Sequence, residues 1–407
     1  MSGQAELIAT AVAHQRAGRN AEAHALYRQI LAETPDQLDA LNNLAVLLQR
    51  EGRPQEAVAL YDRILTVDAA NATALSNRGV LLREGGRHAE AIESLSAAVA
   101  QRPDYVDALF NLGVTYIDTG RPELAVPPLN RAAAGMPANP DIQANLARAL
   151  NAIGKVDDAV RHGEWALALK DVAASARLLA VEAPLRKITP KPFDPARKAR
   201  NVIAFSLWGA ARTYTEGAVA NAQLAAGLYP EWTCRFYVDQ TVPAEIVARL
   251  RAHGAAIVTM PPRQGPHEGL FWRFFAADDP TVDRFLCRDC DSRLNTQERA
   301  AVEAWLKSDK AFHSMRDAVF HTELLLAGLW GGTGQALRGL RAACAAYYRP
   351  TDHRWVDQDF LREQVWPRIR FDLLTHDSHY RVNGALPFPA DGRLSPPLHV
   401  GAGITLD

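Results

Sequence analysis

The stretch Ala72-Thr-Ala-Leu-Ser-Asn77-Arg-Gly79-Val-Leu-Leu-Arg-Glu-Gly-Gly86-Arg-His-Ala-Glu-Ala91 decides how the first part of the chain folds, because its register returns every 34 residues. Gly18, Gly52, Gly86, Gly120 and Gly154 hold that spacing, and Pro35, Pro103 and Pro137 follow in register with Ala69 at the fourth place. Ala23, Ala57, Ala91, Ala125 and Ala159 fall where a second helix must approach a first closely, and Tyr27, Tyr61, Leu95 and Leu129 follow one turn later to fill the gap. The units read as 4–37, 38–71, 72–105, 106–139 and 140–173, each a helix, a glycine turn, a second helix and a proline or small residue. One such pair cannot bury its apolar face alone, so the units are expected to stack.

A period of 34 with a small residue at each helix turn identifies these units as similar to tetratricopeptide repeats. The fifth unit departs from the pattern, with Asp171 in place of the proline and Gly163 at the bulky position, and Val172–Leu185 reads as a capping helix. Pro127-Pro128 lies inside the second helix of the fourth unit and predicts a kink there, because proline removes a donor and crowds the preceding turn. Asn43, Asn77, Asn111 and Asn145 form a further ladder, two residues before the small residue of each first helix. In repeats of this type the position faces the concave groove, and an amide offers both donors and an acceptor to an extended peptide backbone. The ladder resembles that of the eukaryotic O-linked N-acetylglucosamine transferase, which implies a protein or peptide acceptor; a merely solvated row of amides is the plain alternative.

The chain has 407 residues, 48% of them apolar and 22% charged, with a formal net charge of −1. That length suggests two or three domains, and that charge balance argues against a nucleic-acid partner. No apolar run approaches the ~18 residues of a membrane span, and Met1-Ser-Gly-Gln-Ala-Glu6 lacks the features of a secretory signal. Four cysteines in so long a chain do not make a disulfide framework. A cytoplasmic protein without a membrane span is the expectation, with homo-oligomerisation left open.

Residues 186–200 are proline-rich and basic and read as a linker. From residue 201 the period changes. Strands are expected at Val202–Leu207, Thr233–Val238, Ala256–Met260 and Thr281–Cys287, with helices at Thr215–Gly227 and Pro243–His253 between them. Alternation of this kind predicts a parallel α/β sheet with ligands beyond the carboxyl ends of its strands. Asp289 and Asp291 follow the fourth such strand; on extended backbone they project to one side, an oxygen-rich pair suited to Mg²⁺ or Mn²⁺. Phe271-Trp-Arg-Phe-Phe275 reads as core, with Arg273 able to reach a phosphate. Gly331, Gly332 and Gly334 read as a loop of close backbone approach. Cys287-Arg-Asp-Cys290 lacks the second pair a zinc site needs.

The blocks Phe285-Leu-Cys-Arg-Asp-Cys-Asp-Ser-Arg-Leu294, Glu298-Arg-Ala-Ala-Val-Glu-Ala-Trp-Leu306, Phe312-His-Ser-Met-Arg-Asp317 and His321-Thr-Glu-Leu-Leu-Leu-Ala-Gly-Leu-Trp-Gly-Gly332 resemble, in order, bacterial glycosyltransferases of the GT-A fold. Val356-Asp-Gln-Asp-Phe-Leu361 and Thr375-His-Asp-Ser-His379 extend the resemblance, which spans roughly 270–380. It implies a GT-A-like, Rossmann-like nucleotide-sugar-binding domain over 201–407, following a repeat solenoid over 1–185. It further implies a nucleotide-sugar donor, a UDP-sugar foremost, with Mn²⁺ or Mg²⁺ held by Asp289, Asp291 and a third ligand from a late loop, His376 before His379 or His399. Arg273, Arg288, Arg316 and Asp317 are then placed on the donor side. Asp357 and Gln358 become the catalytic pair, with Asp357 a base in an inverting reaction or a stabilising carboxylate in a retaining one. Asp357 also fits a helix N-terminus, and Arg316–Asp317 a structural ion pair. The expected function is metal-dependent sugar transfer to a polypeptide held by the repeats. The alternatives are an interaction adaptor whose second domain is inactive, and a transferase acting on a glycan or lipid-linked acceptor.

Overall fold

The computed structural model describes residues 2–178, 189–190, 192–395 and 398–402. Two compact units divide it, Met1–His162 and Gly163–Asp407. The first consists of paired helices: α1 (Ser2–Arg16) with α2 (Asn20–Glu33), α3 (Leu38–Arg50) with α4 (Pro54–Val67), and α5 (Ala72–Glu84) with α6 (His88–Gln101). Then come α7 (Val106–Asp118) with α8 (Pro122–Gly135) and α9 (Pro140–Ala152), followed by the start of α10 (Val156–Leu178).

The glycines of the 34-residue register all adopt left-handed φ, from +70° to +80°. At each, the residue beyond the glycine donates to the carbonyl five back, Arg87 to Leu82 at 2.8 Å and Lys155 to Leu150 at 2.9 Å among them, which closes each first helix in a Schellman motif. The register alanines and Tyr27, Tyr61, Leu95 and Leu129 are wholly buried. Gly79 and Gly113 explain part of the fit: a Cβ at either would come within 2.6 and 2.5 Å of Leu95 and Leu129. Instead of breaking at Pro127-Pro128, α8 runs through both. The carbonyls those prolines deprive of donors belong to Glu123 and Leu124, both exposed, where water can serve them.

The separate capping helix is replaced, as far as Leu178, by the unbroken continuation of α10; residues 179–185 and most of the first half of the linker lie outside the described residues. The unit boundary falls inside α10 rather than at residue 185. Gly163 gives the reason. A side chain there would overlap the ring of Tyr380, so the loss of the bulky register residue makes room for an aromatic of the second unit.

The second unit is built on a seven-stranded sheet: β1 (Asn201–Leu207), β2 (Thr233–Val238), β3 (Ala256–Thr259), β4 (Arg284–Arg288), β5 (Phe312–Arg316), β6 (Trp330–Thr333) and β7 (Leu373–Asp377). Their order is β3-β2-β1-β4-β6-β5-β7. β3, β2, β1 and β4 are mutually parallel, and β6 runs antiparallel to both β4 and β5, so the sheet is mixed rather than all parallel. Gly331 and Gly332, expected in a loop, lie in β6 itself, where a Cβ at Gly332 would meet the ring of Phe312 at 2.5 Å. Helices α11 (Arg212–Leu228), α12 (Ala244–Ala252) and α13 (Thr296–Leu306) connect the strands. A 3₁₀ segment Glu268–Ala277 packs on β1 and β4. Further on come α14 (Leu340–Tyr347) and α15 (Val356–Phe360), the latter running through a π-helical turn Leu361–Val365 into α16 (Trp366–Ile369). Phe205, Phe236, Leu286, Trp232 and Trp305 lie in the core between sheet and helices. Among the described residues no helix is long and apolar enough to cross a membrane.

Candidate functional site

Strand order reverses at β1, with β2 on one side and β4 on the other, and in open α/β sheets the crevice beyond the carboxyl ends at such a point is where ligands bind. A cavity of about 610 Å³ lies there. Its wall includes Ser206 and Trp208 from the end of β1, Asp289 and Asp291 beyond β4, Arg273 from the 3₁₀ segment, and Asp357 from α15.

Local chemistry holds each in place. After β1 the chain turns at Gly209, φ +74°, with its N–H donating to Thr241 Oγ1 at 2.7 Å. Ser206 Oγ accepts from the Arg273 N–H at 2.9 Å, tying the 3₁₀ segment to the strand. Beyond β4, Asn221 of α11 staples the carboxylate loop, donating to Ser292 O at 2.8 Å and accepting from the Leu294 N–H at 3.1 Å. Gly217, one turn earlier, is where a side chain would overlap the carbonyl of Cys290.

Arg273 organises the charges. Its guanidinium pairs with Asp289 and, at 2.7 Å, with Asp357. Burial alone would lower its affinity for the proton, but the Asp289 and Asp357 charges raise it above the ordinary value. Asp357 is buried too, and burial pushes its carboxyl up to about 6 against the pull of Arg273, with the Asp289 charge adding to the rise. Asp291 is raised by burial and then by Asp289, so this second carboxylate is under-compensated. Gln358, with its amide oriented to donate to Leu325 O (2.8 Å) and accept from the Ala327 N–H (3.0 Å), faces the loop 317–329 between β5 and β6.

Of the residues expected from the sequence, the structure brings Arg273, Asp289, Asp291, Asp357 and Gln358 to this one cavity. It places the others elsewhere. Arg288 is buried on the opposite side of its strand, paired with Glu298 of α13 at 2.7 Å and donating to Trp330 O, because alternate residues of a strand point to opposite faces. Arg316 pairs with Asp377 of the neighbouring β7 at 2.6 Å and not with Asp317. Asp317 accepts from the Val400 N–H and the Ser378 hydroxyl.

His376 is not a third ligand here. It lies in β7, which β6 and β5 separate from β4, and its Nδ1 is 3.0 Å from Nε2 of buried His313. Burial lowers His376 to about 4. His379 and His399 do not line the cavity either. Among the described residues no group of three histidine, cysteine or acidic side chains stands together as a metal site. The two aspartates still suit a hard cation, since both reach the cavity and Asp291 carries charge that nothing fully offsets. Cys287 and Cys290 are buried thiols turned to the backbone carbonyls of Arg273 and Ser206.

The sequence did not point to Tyr214, Trp208, His267, Arg354 or Trp355, which also line the wall. Trp355 is 54% exposed at its rim, with the Arg354 guanidinium 4.4 Å from its ring centroid. They come from four separate segments, and no motif spacing joins them.

In the repeat unit, Asn43, Asn77, Asn111 and Asn145 occupy equivalent half-buried places on α3, α5, α7 and α9. Asn111 and Asn145 each donate one amide hydrogen to the carbonyl one turn back, Asp107 O at 2.8 Å and Asp141 O at 2.9 Å, so part of their capacity is spent within their own helices. α1 touches α3, α5 touches α7 and α7 touches α9, and this helix layer carries the ladder.

Comparison with known proteins agrees with the helical pairs. The tetratricopeptide repeat family matches residues 8–74, 47–105 and 76–141, and the chain carries such repeats. No curated protein matches. Among solved structures, MamA is 22% identical, with a TM-score of 0.38, over 40% of this chain and 96% of that one. PilF of Pseudomonas aeruginosa is 23% identical, with a TM-score of 0.38, over 43% of this chain and 84% of that one. MamA 41-end from Desulfovibrio magneticus RS-1 is 19% identical, with a TM-score of 0.39, over 41% and 94%. None superposes closely enough to bear on function.

Proposed function

We propose that the chain is a tetratricopeptide-repeat protein whose second unit is a metal-dependent glycosyltransferase, moving a sugar from a nucleotide-sugar donor to a polypeptide presented by the repeats. The observation that carries this is the convergence of Arg273, Asp289, Asp291 and Asp357 in one cavity at the strand-order reversal. Asp289 and Asp291 would hold Mn²⁺ or Mg²⁺, with diphosphate and water oxygens as its other ligands. Such a cation would supply charge compensation for the departing diphosphate. Arg273 fixes Asp289 and Asp357 relative to one another, and with a cation on the aspartates its guanidinium would add to the positive charge met by the polyanionic end of the donor. Asp357, raised to about 6, is suited to hold or release a proton near neutral pH.

Three carboxylates share that cavity with a single buried guanidinium, which is the feature that favours a cation-dependent site; an adaptor without activity is the alternative, and the repeats fit it equally. The experiment is a thermal-shift screen of UDP-, GDP-, CDP- and dTDP-sugars with Mn²⁺, followed by donor hydrolysis and transfer with and without EDTA. Stabilisation by one donor class, lost in Asp289→Asn and Asp291→Asn, is the expected result, because a ligand that binds the native state stabilises it by mass action. Wild-type protein that binds and hydrolyses no donor would leave the adaptor reading in its place. Replacing Asn77 and Asn111 by Ala tests the acceptor; unchanged peptide use would turn the reading toward a glycan or lipid-linked acceptor.

A further inference from the structure

α10 turns Gly163, Ala166, Leu167, Lys170 and Ala174 inward, at the spacing of a buried helix face. All but one are small or apolar. Lys170 is only 3% exposed at a place where leucine would pack without the cost of desolvating an ammonium group. Its Nζ donates to Thr322 O at 3.1 Å and pairs with Glu323. Glu323 is gripped from its other side by Arg362 at 3.3 Å, and Arg362 also pairs with Asp359 of α15.

Thr322 and Glu323 belong to the loop 317–329, which does not line the cavity but touches two residues that do. Leu325 and Ala327 clasp the Gln358 amide. Gly328 lies so close to Asp289 that a Cβ would overlap its carboxylate. The Tyr380 hydroxyl donates to Val319 O, fixing the start of the same loop. Thus one segment is held on α10 at Thr322 and Glu323 and delivers its next residues to Gln358 and Asp289.

We propose that Lys170 is a positioning residue for the carboxylate cavity, acting through Glu323 and the loop 317–329 on Asp289 and Gln358. The proposal rests on the reading of that cavity as a nucleotide-sugar site. A structural ammonium would matter only for folding, whereas a positioning one sets affinity in the folded protein. Mn²⁺ with UDP, GDP, CDP and dTDP is titrated calorimetrically into full-length wild type, Lys170→Met, Lys170→Arg, Glu323→Gln and Gly328→Ala, each first shown to be folded by tryptophan emission. Wild type is expected to bind one diphosphate. Lys170→Met and Glu323→Gln are expected to weaken it at least about tenfold, which corresponds to about 1.4 kcal/mol. Lys170→Arg should restore it to within about threefold, and Gly328→Ala should abolish it. Wild-type affinity in folded Lys170→Met, or in folded Glu323→Gln if the first does not fold, overturns the positioning role and leaves the donor-site reading standing. No binding by wild type overturns that parent reading, and this one with it.

Discussion

In the repeat unit, Arg53 pairs with Glu56, Arg87 with Glu90 and Arg63 with Asp36, all at the surface. In the α/β unit, Arg273, Arg288 and Arg316 are each no more than 5% exposed and pair inside the protein with Asp357, Glu298 and Asp377. Exposed pairs add little to stability, and the repeats are held instead by alanine–aromatic and glycine–leucine contacts renewed every 34 residues. Buried pairs tolerate the loss of a partner badly, so the second unit's architecture depends on these few charges, and at Arg273 and Asp357 its cavity does as well. At Arg273 and Asp357, where the buried pair also lines the cavity, structure and site are coupled; in the exposed pairs of the repeats they are separable.

All eight tryptophans lie between Trp165 and Trp366, so their emission reports the second unit alone while circular dichroism reports both. Arg273→Ala should break the contrast most severely, since it leaves buried Asp357 uncompensated. A loss of about 3–5 kcal/mol in urea unfolding followed by tryptophan emission is expected. A loss below about 1 kcal/mol would show that the cavity charges are not structurally coupled. Leu95→Ala should cost about 2–5 kcal/mol in the circular-dichroism transition. It should leave the tryptophan transition in place, and a matching shift in both would disprove local containment of the repeats.

Acid sharpens the comparison. His321, lowered to about 3 by burial and then by His399, and His376, lowered to about 4 by burial, bind fewer protons folded than unfolded. Their neutral burial therefore contributes fully above the unfolded value near 6.5 and is lost as pH falls from there through 4. The tryptophan transition should weaken over that window, and His376→Asn should flatten part of the slope. A slope unchanged in that variant would remove His376 from the explanation. Asp357 acts with the opposite sign: its folded value of about 6 lies above the unfolded one, so raising pH from about 4 through 6 withdraws stability. The smallest effect is expected at a turn. Gly120→Ala forces a left-handed φ of +70° on alanine and should cost about 1–2 kcal/mol, read by circular dichroism; no change would mean that the turn relaxes.

The repeat period was legible because each unit's contacts are with its sequence neighbours, so the pattern at Ala91 or Leu95 states its own environment. Strands β1, β2 and β3 were legible for a similar reason, as apolar runs bounded by turns. β6 was not, since Gly331 and Gly332 have no strand propensity and owe their place to the ring of Phe312 and the neighbouring strands. The aspartates of the site could be read from strand-end position. Arg288, Arg316 and His376 could not be told from ligands, because a buried ion pair and a functional charge look alike until their partners are known.

By itself, then, the sequence determined the repeats, their turns, the alternation of strands and helices in the second unit and the carboxylate pair at 289 and 291. The tertiary structure alone decided which charges meet. Asp289 and Asp357 are joined through Arg273, while His376 is carried away with β7 to His313. It also decided that α10 belongs partly to the second unit, through Gly163 and Lys170. The physical reason is range. Helical periodicity is set over a few residues, whereas the partner of a buried charge is chosen by strand order across hundreds.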